Sequence, residues 1–70
     1  MGELLTTGQV AQLLGLREQS VRAWRIYGSG PRFTKIGGGV RGAVRYDRAE
    51  LERWLASRTF RSTAEAETAA

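Results

Sequence analysis

Seventy residues carry eleven basic and seven acidic side chains, a net charge of +4, with neither Cys nor His. A chain this short buries only about 60% of the surface its unfolded form exposes, so it makes one small domain with no room for separate cofactor and substrate halves. Without Cys there are no disulfides or thiolate metal sites, and without His the commonest metal ligand and neutral-pH base are missing, so neither a metal nor a cofactor is expected. No apolar run approaches the roughly 20 residues of a bilayer crossing. Met1-Gly2-Glu3 lacks a basic leader region. The expectation is a soluble protein of a bacterial cytoplasm, associated with the nucleoid.

The first predicted element opens at Thr6, with Gln9 three residues on, the signature of a capping box. Val10, Leu13 and Leu14 follow as one apolar stripe, and Gly15 stops the pattern, which predicts a helix over Thr7 to Leu14. Leu16 is expected to pack under the turn. A second helix follows at once, with Val21 and Trp24 inward and Glu18, Gln19, Arg22 and Arg25 on the opposite face, ending at Gly28. Two short helices joined by a tight turn describe a helix-turn-helix.

Ser29-Gly30-Pro31 breaks the second helix. A β-leaning run, Phe33 to Ile36, then leads to the flexible tip Gly37-Gly38-Gly39. Beyond it Val40, Gly42, Val44 and Tyr46 alternate with Arg41, Ala43 and Arg45, which predicts a hairpin with apolar residues on one face and arginines on the other. Asp47 and Glu50 open a third helix, about Arg48 to Arg58, with the stripe Leu51, Trp54, Leu55. Trp24 and Trp54 are expected to anchor one shared core. Residues 61–70 lack bulky apolar side chains and are expected to form a flexible tail after a domain spanning 1–60.

Charge is the functional clue. Ten of the eleven basic residues are Arg, and between Arg17 and Arg48 eight basic residues face only Glu18 and Asp47. That segment is +6, which leaves −2 for the flanks. A basic middle suits a polyanion, and the guanidinium fork suits phosphates and guanine edges. A basic surface that only serves solubility is the alternative. On the second helix, Gln19 is placed to read adenine, Arg22 guanine, and Ser20 either if it is exposed. Arg25, one turn on, is better placed for phosphate. Arg41 near the tip, flanked by Lys35 and Arg45 on the strands, is the candidate for the minor groove or a phosphate clamp.

Helix, turn, helix, hairpin, helix is the order of a small α+β winged helix-turn-helix with three helices and a two-stranded β-hairpin wing. The run Leu5-Thr6-Thr7-Gly8-Gln9-Val10-Ala11-Gln12-Leu13-Leu14-Gly15-Leu16 resembles the first helix and turn of MerR-like and excisionase-type proteins of that fold. Gly28-Ser29-Gly30-Pro31-Arg32-Phe33, Val44-Arg45-Tyr46 and Leu51-Glu52-Arg53-Trp54-Leu55 resemble the wing and closing helix of the excisionase subgroup. The similarity covers about residues 4 to 58. It implies a recombination directionality factor: several copies bind side by side on double-stranded attachment-site repeats, bend the DNA, and help an integrase excise a phage or other mobile element. One departure stands out. The family usually caps the second helix with Ser or Thr, whereas Arg17 holds that place here and cannot accept the helix amides; either the helix starts slightly differently, or Arg17 serves a phosphate contact at some cost in helix stability.

Enzymatic activity is not expected. Gly37-Gly38-Gly39-Val40-Arg41-Gly42 fits a dinucleotide-binding pattern literally, but no helix follows directly and no doubly wound fold surrounds it. Ser20 has no His to activate it, and Glu50 and Glu52 point in different directions on a helix. Two other functions remain open on the sequence: a prophage transcription regulator of the same fold, and a protein-interaction adaptor that would use Ile26 and the tail.

Overall fold

Thr6 begins the first helix as its side chain allows. Its hydroxyl accepts from the Gln9 amide at 3.1 Å, and the Gln9 side-chain oxygen accepts from the Thr6 amide at 2.8 Å, so two otherwise orphaned donors are satisfied reciprocally. The helix ends at Gly15, whose φ of 68° lies in the left-handed region. The computed structural model describes residues 2–39 and 42–68. Within them the order is β1 (Leu4–Leu5), α1 (Thr7–Leu14), α2 (Glu18–Tyr27), β2 (Thr34–Ile36), β3 (Ala43–Asp47), α3 (Arg48–Ser57) and α4 (Thr63–Thr68).

The expected two-stranded hairpin is part of a three-stranded antiparallel sheet in the order β1-β3-β2. Leu4 pairs with Asp47 and Leu5 with Tyr46. The pairing is extended by the Arg48 amide, which donates to the Glu3 carbonyl at 2.8 Å, and by an Arg48–Glu3 ion pair at 3.0 Å. Two residues are too few for a period-two pattern to register, so β1 has no signature of its own. Asp47 then turns the chain into α3. Its carboxylate accepts from the Ala49 amide at 2.9 Å, and that bond holds its pKa below the usual carboxylate value.

The core comprises Leu5, Val10, Ala11, Val21, Tyr46 and Leu51, with Leu14, Trp24, Val44, Trp54 and Leu55 packed against it. Two expectations about it change. Leu13 and Leu16 stand 53% and 43% exposed. Ala11 takes the inward place instead, so α1 buries the narrower face formed by Val10, Ala11 and Leu14. Trp24 and Trp54 do pack on each other, ring centroids 5.0 Å apart and tilted by 53°, but at the core's margin rather than its centre. The Arg58 guanidinium lies 5.5 Å from the Trp54 ring centroid.

The tail also differs from its expectation. Thr63–Thr68 forms a short helix. Ser62 Oγ accepts from the Glu65 amide at 3.2 Å, and the Glu65 carboxylate accepts from the Arg61 amide at 3.2 Å. Ser62 and Glu65 stand in the same spacing as Thr6 and Gln9, so the start signal was present. No residue of α4 is buried.

Gly30 makes the Trp pair possible. A Cβ placed there would lie 2.6 Å from both Cβ and Cγ of Trp24, the fixed root of that side chain. We expect Gly30→Ala to displace Trp24 from Trp54 and to destabilise the fold by about 1–3 kcal/mol, the usual cost of overpacking. Thermal unfolding followed by Trp fluorescence measures this, and an unchanged midpoint would mean that the Trp pair contributes nothing to stability.

Candidate nucleic-acid interface

Helix α2 rests on α1 through Val21, which is fully buried. With about 100° of rotation per residue, Gln19, Arg22, Ala23 and Ile26 then fall on the face turned away from the body. Gln19, Arg22 and Ile26 are exposed and Ala23 is half-buried. Ser20 is exposed as well, but sits one step around the helix from Gln19, on the flank rather than with Gln19 and Arg22. Arg22 reaches back to Glu18, Nη2 to Oε1 at 2.8 Å. Both side chains of that pair are about half exposed, so the bond is worth only about 0.3–0.5 kcal/mol and yields readily to a stronger partner.

Arg25 behaves differently from its expectation. That expectation sets it with Arg22 on the outer face, suited to phosphate. It is half-buried, and its Nη1 donates to Thr7 Oγ1 and to Tyr46 Oη, each at 3.2 Å, while its guanidinium lies 5.9 Å from the Phe33 ring centroid. The spacing held the signal: Arg25 is four residues after Val21, so it shares that residue's inward side. Arg25 therefore fastens the start of α1, the end of α2 and β3 to one another.

These elements surround one groove of 420 Å³. Its walls come from the first turn of α1 (Thr6, Thr7, Gly8), from Glu18, Arg22 and Arg25 of α2, and from Val44 and Arg45 of β3. Three arginines line the groove into which the positive end of the α1 dipole opens, and the Glu18 carboxylate lies there too, against Gly8 and paired with Arg22; the lining is net positive and suits an anion such as a backbone phosphate once Glu18 gives way. Thr7 and Gly8 also line the groove, a placement that the sequence does not signal, because the capping box beside them marks only a helix start.

The other candidates are distributed more widely. Arg17 is exposed and sits at the N-cap of α2 without a side-chain capping bond, as the sequence implied. Arg45 is half-buried and donates to the Val44 carbonyl at 2.8 Å. Lys35 donates to the Gly39 carbonyl at 3.3 Å and does not line the groove. The ladder pairs Lys35 with Val44 and Thr34 with Arg45, so Lys35 and Arg45 stand on opposite faces of the hairpin. Arg41 and Val40 lie outside the described residues. At the tip, Gly37 and Gly39 have φ of 95° and 61°, so glycine is there for a backbone conformation that other residues rarely adopt.

The fold and this surface define a helix-turn-helix protein with a cationic groove. A family model described as a helix-turn-helix domain matches residues 4–59, and the chain belongs to that family. The family includes excisionase-like DNA-binding proteins, and membership supports binding to double-stranded DNA. No curated protein and no solved structure matches the chain. Among the described residues, no helix is long and apolar enough to cross a membrane.

Arg17 provides a test of the interface. Arg17→Ser supplies the missing cap and should stabilise the fold by about 1 kcal/mol, while removing an exposed cation. Chemical denaturation and titration with mixed-sequence duplex measure the two effects. Stability that does not rise would show that Ser at this position does not cap α2, and undiminished affinity would remove Arg17 from the phosphates.

Proposed function

We propose that this protein is a sequence-specific, DNA-bending accessory factor for site-specific recombination, which promotes excision of a phage or other mobile element together with its integrase. The observation that carries the DNA-binding part is the groove in which Arg22, Arg25 and Arg45 meet the start of α1. A backbone phosphate seated there places the exposed face of α2 against the major groove, where base pairs are distinguishable. Gln19 then reads adenine and Arg22 guanine, Arg22 exchanging Glu18 for the base. Ser20 contributes from the flank. Arg17 and Arg45 meet phosphates, and the hairpin, as a wing with Lys35 and Arg41, follows the neighbouring minor groove.

The recombination role is supported by the excisionase-like segments spread over residues 4 to 58, from Leu5 to Leu55, and by the scale of the interface. One module of this size buries only about 600–1,000 Å² on DNA, so a single copy binds modestly. Copies on adjacent repeats supply the remaining affinity by mutual support, and a row of them imposes a bend.

Two measurements test this reading. Arg22→Ala should cost about 1–3 kcal/mol of binding and relax the preference at one base position. A loss equal on all sequences would make Arg22 a phosphate ligand instead. On attachment-site DNA with repeats, gel-shift bands should appear stepwise, circular permutation should reveal a bend, and adding the protein to the integrase should drive excision. A single unbent complex with no effect on excision would reject the recombination role and leave DNA binding standing.

A further inference from the structure

Ile26 is 78% exposed, an unusual setting for a large β-branched side chain. Its place on α2 is the informative part. Gln19, Arg22 and Ile26 are spaced i, i+3 and i+7, so they form one stripe, and Ala23 lies beside it four residues after Gln19. Seven residues of helix advance about 10 Å, less than the roughly 12 Å width of the major groove. A helix that presents Gln19 and Arg22 to base edges therefore presents Ile26 to them as well. Tyr27, although 79% exposed, is one further step around the helix and off the stripe.

Ile26 has neither donor nor acceptor, and it follows Arg22 on a face whose one nearby carboxylate, Glu18, is engaged by Arg22. The stripe is thus cationic and then apolar, continuous with the groove that Arg22 lines. In the major groove one base feature matches an aliphatic side chain: the thymine C5-methyl group, which cytosine and adenine lack. We infer that Ile26, flanked by the Ala23 methyl, is a specificity-determining residue that recognises the C5-methyl group of a thymine next to the base pair read by Arg22. The inference rests on the DNA-binding reading above and adds to it the chemical identity of a neighbouring base.

Deoxyuridine tests it, because it removes the methyl group and leaves the pairing edge unchanged. The probe is the duplex that the full chain selects from a randomised pool, with each thymine replaced in turn. Loss of one buried methyl corresponds to about fourfold in affinity. The wild type should bind about fourfold more weakly at one or two substituted positions. Ile26→Ala should bind the thymine duplex more weakly than the wild type and should be indifferent to deoxyuridine at those positions. Alanine is favoured at an exposed helical position, so the variant should fold, and circular dichroism checks that it does. A wild type insensitive to every deoxyuridine, or an Ile26→Ala that keeps the sensitivity, would overturn the inference while leaving DNA binding intact. Failure of the full chain to select any duplex would overturn both.

Discussion

The Tyr46 side chain is wholly out of water, and a buried phenol without a partner costs about 1–3 kcal/mol. Arg25 supplies that partner. The same guanidinium nitrogen also holds Thr7 at the start of α1, so one half-buried cation joins a strand, a helix end and a helix start. The elements so joined carry Arg22, Arg45 and the start of α1 around a common groove. The charge that makes the surface attractive to an anion is therefore partly the charge that holds the surface together.

This double duty explains how so small a chain keeps a defined cationic face. Its fully buried side chains are few, chiefly Tyr46, Leu51, Val10 and Val21. The Trp24–Trp54 pair closes the margin over Gly30. At Arg17 and Ile26 the proposed function and stability separate. Arg17 stands where a serine would stabilise α2 by capping it, which fits a residue kept for its charge. Ile26 stands in solvent where a polar residue would be more comfortable, which fits a residue kept for an apolar contact made on binding.

The hairpin obeys a stricter rule. Its three-residue strand β2 is exposed throughout, so its side chains are fixed by register, not by packing. Register places Lys35 and Arg45 on opposite faces. Among the described residues the wing therefore offers Lys35 to one side and Arg45 to the other, and Arg45 lines the groove.

The sequence alone determined the features that local chemistry sets. The Thr6–Gln9 box, Gly15, Gly28 and Asp47 act through bonds and backbone angles spanning a few residues, and the bounds of α1, the end of α2 and the start of α3 are legible from them. The exposed positions of Gln19 and Arg22 follow from the 3.6-residue period once Val21 is taken as buried. Tertiary structure decided what depends on residues far apart in the chain. Leu4 and Leu5 become a strand only because Tyr46 and Asp47 lie beside them, more than forty residues away. Leu13 is left outside because Ala11, with its smaller side chain, faces the other helix and the sheet. The inward side of Arg25 is legible from its spacing to Val21, but its partner, the Tyr46 hydroxyl, is set by tertiary structure, and no local pattern announces the partner of a buried phenol.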